Sequence, residues 1–366
     1  MRIERIEAYI VERETKRPYR WRDGLPGSKP KQEICWLRVI TDEGVDGWAV
    51  SSHGYIVADL VRRCFGEIAI GQDPLLKENL WHQVWEFDRI EEFPIYALGL
   101  LDIALWDITA KIARLPLYRL LGGARDKILA YASTVTWETV DDYLRCVDEC
   151  LALGYKAIKI HAWGDVERDG KLAKTLRRHV GDEIALMYDG SAGFRYEEAL
   201  RLGRMLEEAN FLWYEEPMRE FNIWQYQRLC QDLDIPVLVP ETADGCHYNA
   251  ADFVVHGACD LLRTSAHYKG GITGAMRIAH LADAFGMFVE VHGGGLPNLH
   301  LCCAIPNTRY YEILVINDPK GEREEQGELG IDSEGYVHIP QREGIGWQVD
   351  AKQLAEEAVL VVSVPK

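Results

Sequence analysis

The chain has 366 residues, 48% of them apolar, and a formal net charge of −17 at pH 7. That length suffices for one large domain plus a smaller one. The acidity argues against a sequence-independent grip on nucleic acid or an anionic membrane surface, so the expected partner is a small molecule, an anionic one included.

The opening MRIERIEAYIVERET is too charged for a signal peptide. Ile3 to Val11, Ile34 to Ile40 and Val45 to Val50 are rich in β-branched and aromatic residues and read as a meander of strands, with Asp42-Glu43-Gly44 as a turn. Between the first two lies Lys16 to Gln32, a Pro-, Gly- and Arg-rich segment that is either a solvated connection or a lid. From Tyr55 to about Gly122 the pattern is helical. Leu101, Leu105, Ile108 and Ile112 recur at helical spacing, and Pro116 closes the run.

From Ile128 onward short apolar strands alternate with helical patterns, eight strands in all, at about Ile128–Tyr131, Ala157–Ile160, Ala185–Tyr188, Leu212–Tyr214, Val237–Val239, Leu261–Arg263, Phe288–Val291 and Tyr311–Val315. This predicts a parallel sheet, closed into a (β/α) barrel or, as the second choice, open and doubly wound. No GxGxxG follows any strand, so a dinucleotide fold lacks its fingerprint. The nine cysteines are odd in number and show no CxxC spacing, which suits reduced, mostly buried thiols in a cytoplasmic protein. No apolar run reaches the roughly 18 residues needed to span a bilayer.

In such a barrel the chemistry sits at the C-terminal ends of the strands. The second predicted strand ends in KAIKIHAWGD, where alternation puts Lys159 and His161 on one face. Asp189, Glu215 and Glu241 then recur 26 residues apart at the third, fourth and fifth strands, and His292 and Glu312 fall on the seventh and eighth. One acid after a strand is usually a cap or a solvated group; three in matching positions would repel unless a cation joined them. An all-oxygen set suits Mg²⁺, or Mn²⁺ in its place, better than zinc. Basic groups flanking such a metal suit a carboxylate substrate. The metal would stabilise the enediolate formed when the neighbouring C–H loses its proton.

With these residues in hand, the chain resembles the enolase superfamily, in its mandelate racemase / muconate lactonizing enzyme-like group. The ALWDITAK…LPLYRLLGG segment, WYEEP, the KGGIT element at Lys269 to Gly286 and GYVHIPQREGIGWQVD at Gly335 to Asp350 carry the likeness. The resemblance implies a (β/α)₇β modified TIM barrel at 126–325, an N-terminal α+β capping domain at 1–125, and a C-terminal segment at 326–366 returning to the cap. It implies Mg²⁺ on Asp189, Glu215 and Glu241, catalysis by Lys159, His161, His292 and Glu312, and a homo-oligomer. Tyr19, Trp21 and Arg22 of the first loop and His53 of the second, beside Ser51 and Ser52, are the candidate substrate contacts, and Glu216 is a supporting group. Trp163 is read as packing.

Two positions depart from the group's pattern. His161 replaces the usual second lysine, and Ser265 stands 27 residues before His292 where an aspartate is usual. Without that aspartate His292 is better suited to act as an acid than as a base, although His267, on the same strand face as Ser265, could take part of its role. Dehydration of a sugar acid to a 2-keto-3-deoxy acid is the first expectation. Racemisation or epimerisation of a 2-hydroxy acid is the second, and a non-catalytic ligand-binding barrel the third.

Overall fold

The computed structural model of the chain describes residues 1–15, 17–316 and 330–365. Strands β1 (Ile3–Glu14), β2 (Lys31–Thr41) and β3 (Asp46–Ser52) form an antiparallel meander. The two-residue period of β1 sends Ile6, Ala8 and Ile10 into the main core, while Tyr9 and Val11 pack with Trp36 and Trp48 on the other face. Helix α1 (Gly54–Leu60), a π-helical turn (Val61–Phe65), α2 (Gly66–Ala69), α3 (Lys77–Glu91), α4 (Ile95–Ile112) and α5 (Leu117–Leu120) follow. Helix α4 ends three residues short of the Leu115-Pro116 step, where Arg114 turns left-handed at φ 53° and the Leu115 N–H closes on the Ala110 carbonyl at 3.0 Å.

The repeats then run β4 (Lys127–Thr134), α6 (Val140–Leu153), β5 (Ala157–His161), α7 (Val166–Val180), β6 (Ala185–Asp189), α8 (Tyr196–Glu208), β7 (Tyr214–Glu215) and α9 (Ile223–Asp232). They continue as β8 (Val237–Val239), α10 (Cys246–Val255), β9 (Leu261–Thr264), α11 (Gly271–Ala284), β10 (Val289–Val291), α12 (Leu296–Ala304) and β11 (Tyr311–Val315). The strands pair in parallel in the order β10-β9-β8-β7-β6-β5-β4-β11, which is the (β/α)₇β barrel and not the doubly wound alternative, whose strand order reverses partway. Tyr131, Met187, Trp213, Leu238 and Leu261 fill the lower interior.

Strand β12 (Tyr336–His338) runs antiparallel to β4, helix α13 (Ala351–Glu357) follows, and β13 (Leu360–Val364) pairs antiparallel with β1. The boundary expected at 325/326 lies outside the described residues. A buried carboxylate fixes α4 against the barrel: Asp102 accepts from the Thr273 backbone N–H at 2.9 Å and from its hydroxyl at 2.6 Å. Gly271 has φ +80°, and a Cβ there would lie 2.4 Å from Asp102 Oδ2, so the KGGIT glycine is what lets this carboxylate reach the start of α11.

Among the described residues no helix is long and apolar enough to cross a membrane. All nine cysteines are free thiols, and only Cys230 is not buried.

Candidate active site

Inward-facing residues stack in layers up the barrel. Above the apolar floor lie Lys159 of β5, Glu215 of β7, Arg263 of β9 and Glu312 of β11, each at most 1% exposed. Asp189 ends β6 and does not follow it, and Glu241 follows β8. Asp189, Glu215 and Glu241 converge, each offering an oxygen within 4.8 Å of the others. At that separation each pair of charges repels by roughly 3–4 kcal/mol for an effective dielectric near 20, so the trio needs a cation.

Two cations lie among them. Lys159 Nζ is 3.2 Å from Asp189 Oδ2, 3.0 Å from Glu215 Oε2 and 2.9 Å from Glu312 Oε1. Burial alone would lower its pKa, but Glu215 and Glu312 hold it well above the ordinary lysine value, so it is charged. Arg263 Nη2 lies 2.6 Å from Glu215 Oε1 and 2.9 Å from Glu312 Oε2. Burial pushes the Glu312 carboxyl up, yet Lys159 and Arg263 outweigh it and hold it far below the usual range. For Asp189 burial is likewise outweighed, there by His161 and Lys159. Glu241 is the exception, since burial raises its pKa and Arg263 only partly offsets this.

The two histidines flank the trio from strands on either side of it. His161 gives Nδ1 to the Thr134 carbonyl at 2.6 Å and sets Nε2 3.0 Å from Asp189 Oδ2. Its own carbonyl accepts from Tyr143 Oη at 2.7 Å, which fixes the strand end. His292 sets Nε2 3.3 Å from Glu241 Oε1, and Tyr268 stacks on its ring with centroids 4.8 Å apart. Burial pushes His292 down to about 3, so it is neutral at pH 7. Ser265 contributes nothing like an aspartate here, because its hydroxyl accepts from the His267 backbone N–H at 3.2 Å. Burial lowers His267 to about 4, and the ring that lies against His292 is that of Tyr268.

The loop between β1 and β2 reaches this mouth. Trp21 lies against His161 with ring centroids 4.6 Å apart, and Tyr19 packs edge-on to Trp21. Arg22 Nε donates to the Ser191 carbonyl at 2.9 Å, and the Asp23 N–H to that of Trp163 at 3.2 Å. His53 is different: its contacts are with Ser52 and Tyr96, and none of them is to the carboxylate cluster. Trp163 is packed between Tyr143 and Arg168, its indole N–H held by the Trp137 carbonyl.

Glu216 supports rather than joins the trio. Its Oε1 accepts the Glu241 backbone N–H at 3.0 Å, while Glu220 accepts from Thr242. Sequence reasoning did not single out Arg263 or Tyr268. Strand alternation would have found the arginine, which stands two residues before Ser265 on the same face.

The trio fits a hard divalent ion. Its donors are all carboxylate oxygens, and Glu241 Oε2 is buried with no hydrogen-bond partner among the described residues. A barrel with a carboxylate trio at its mouth, flanked by two histidines and joined to a separate cap, defines a class of enzymes that act on small carboxylates. Comparison with known proteins makes the class specific. A family model described as the mandelate racemase / muconate lactonizing enzyme N-terminal domain matches residues 5–122, and one described as enolase C-terminal domain-like matches residues 142–353. The chain belongs to the mandelate racemase / muconate lactonizing enzyme family of the enolase superfamily.

Arabinonate dehydratase of Saccharolobus solfataricus is 28% identical over 334 residues, 87% of this chain and 88% of its own. A 3,6-anhydro-alpha-L-galactonate cycloisomerase of Streptomyces coelicolor is 27% identical over 351 residues, 93% of this chain and 96% of its own. The structure of D-glucarate dehydratase from Agrobacterium tumefaciens, complexed with magnesium, is similar with a TM-score of 0.91 at 34% identity, covering 98% of this chain and 100% of that one.

Proposed function

We propose that the protein is a Mg²⁺-dependent sugar-acid dehydratase that removes the proton α to a carboxylate and expels the β-hydroxyl, giving a 2-keto-3-deoxy acid. The observation that carries this reading is the placing of two imidazoles against different members of the carboxylate trio, His161 at Asp189 and His292 at Glu241. Asp189, Glu215 and Glu241 would hold the metal, which when bound stabilises the negative charge that develops on the substrate carboxylate as the α-proton leaves. Lys159 would bind the substrate carboxylate from the side away from solvent, with Glu312 holding its ammonium in place.

His161 is the base. The Thr134 carbonyl can only accept, so Nδ1 keeps a proton, and with the Asp189 oxygens turned to the metal the Nε2 of a neutral ring would be free to accept the α-proton. His292 is the acid: the negative charge that develops on the substrate as the α-proton leaves opposes the desolvation that keeps this ring neutral in the empty site, so that it can take up a proton and pass it to the departing hydroxyl. With Ser265 turned to the backbone, no group on β9 raises its basicity, which disfavours the two-base racemase reading. Trp21 and Arg22, with Tyr19 behind them, cover the mouth and exclude water. In this reading residues 1–125 with the returning C-terminal segment form the cap, residues 126–325 hold the site, and the protein works as a homo-oligomer.

The named relatives support the class of substrate, and the cycloisomerase keeps an isomerase as the second reading. A library of aldonic, aldaric and 2-hydroxy acids, incubated with Mg²⁺ in deuterated water, tests both. A 2-ketoacid formed from one or two stereoisomers is the expected outcome. Deuterium at the α-carbon with no ketoacid from any member would replace dehydration by racemisation or epimerisation. Mn²⁺ in place of Mg²⁺ should support the same product.

A further inference from the structure

Arg263 is a large, always-charged side chain with no exposure at all, set in the barrel interior one level above Leu261 and one below Ser265. Burying a guanidinium is costly, and an apolar residue of similar size would usually fill such a place as well or better. Its neighbours show what it answers. Nη2 contacts Glu215 Oε1 at 2.6 Å, Glu312 Oε2 at 2.9 Å and the Tyr131 hydroxyl at 3.2 Å, while Nε is 3.6 Å from Glu241 Oε2. It therefore touches two of the three proposed metal ligands and the acid beside them. Neither Nε nor Nη1 has a hydrogen-bond partner among the described residues, so the guanidinium is held by charge more than by hydrogen bonding.

Charge counting gives this a sign. Asp189, Glu215, Glu241 and Glu312 bring four negative charges when ionised, and Lys159 and Arg263 bring two positive ones. Two negative charges are left over, the number a divalent ion neutralises.

We propose that Arg263 is a positioning residue, a fixed internal cation that holds Glu215 and Glu241 in place before the metal arrives and, by its charge, weakens the site's grip on that metal. This rests on the reading of Asp189, Glu215 and Glu241 as metal ligands. A cation beside the ligands repels a divalent ion, so the same contact that stabilises the metal-free site loosens the loaded one. Exchange of the ion is thereby kept easy without loss of the ligand geometry.

The test is calorimetric titration of Mg²⁺ into the full chain, with thermal melts in chelator and in saturating Mg²⁺. R263Q should bind Mg²⁺ about tenfold more tightly than the native protein, as removal of one nearby charge implies. It should also melt lower than the native protein in chelator and recover much of that loss on adding Mg²⁺. R263K, which keeps the charge, should bind with near-native affinity. E312Q removes a negative charge from the same cluster and should bind about tenfold more weakly; this second variant decides the matter if R263Q does not fold. Equal or weaker binding by a folded R263Q, or unchanged affinity in E312Q, overturns the proposal. If the native protein itself takes up no Mg²⁺, the metal reading fails instead, and the two failures are told apart by that first titration.

Discussion

The Thr134 carbonyl lies 2.6 Å from His161 Nδ1, and this contact between neighbouring barrel strands decides which nitrogen of His161 is tied to the barrel wall and which, Nε2, is left to face Asp189. An asparagine at 161 could still donate to Thr134 but has nothing to accept a proton. We expect His161→Asn to lower α-proton exchange by about 10²–10⁴-fold, the usual contribution of a general base, while the melting temperature and Mg²⁺ titration stay close to native. Exchange at the native rate would move the base elsewhere, with Lys159 the next group to test.

His292 is expected to act only after the α-proton has gone. Its ring is steadied by Tyr268, stacked 23° from parallel, and not by a carboxylate on β9. His292→Asn should therefore keep measurable α-deuterium exchange and lose ketoacid formation. Tyr268→Ala should shift the ratio of exchange to product in the same direction by a smaller factor, and Tyr268→Phe, which keeps the stacked face, should restore it. Equal loss of exchange and product in His292→Asn would place that histidine in the first step and favour a two-base isomerase.

These roles were readable from the sequence to different depths. The alternation of strand and helix was enough to count eight repeats, and the period of two put Lys159 and His161 on one face. The recurrence of Asp189, Glu215 and Glu241 likewise needed only spacing. What spacing does not carry is which acid each base meets. The sequence puts Lys159 on the face of His161, whereas in the fold it also touches Asp189, Glu215 and Glu312 from three other strands. His53 shows the opposite limit: loop composition suggested a substrate contact, but its left-handed backbone at φ 73° starts α1 and its ring packs on Tyr96. Short loops place side chains by tertiary contact, and composition does not encode that.

Trp21 is the part of the loop that touches a catalytic candidate, its ring 4.6 Å from that of His161. Trp21→Ala should open the mouth to water, raising KM and lowering kcat together, with kcat/KM down by roughly 10–100-fold if closure contributes as lids elsewhere do. Trp21→Phe keeps an aromatic face and should recover most of the loss. Kinetics on whichever acid the library identifies would check this. An unchanged kcat/KM in Trp21→Ala would mean that the loop is only a solvated connection.

The last prediction concerns stability, away from the site. His300 is fully buried on α12, where Nδ1 accepts the Tyr118 N–H at 3.0 Å and Nε2 donates to the Ile345 carbonyl at 3.1 Å. Both bonds together require the neutral ring, since a proton on Nδ1 would turn two donors against each other. Burial lowers its pKa from 6.5 to about 4. Between those values the unfolded chain binds a proton that the folded chain refuses, so stability is full above pH 6.5 and is lost as pH falls towards 4. The shift corresponds to about 3 kcal/mol across that window. His300→Asn should cost about 1–2 kcal/mol at pH 8 through the lost hydrogen bonds, and the gap to the native protein should narrow or reverse by pH 5. Urea denaturation of both proteins at pH 8, 6.5 and 5 measures the difference directly, other carboxylates and histidines being common to the two. A gap that stays constant across the three would show that His300 carries no such proton linkage and that its two hydrogen bonds act only as a structural tie.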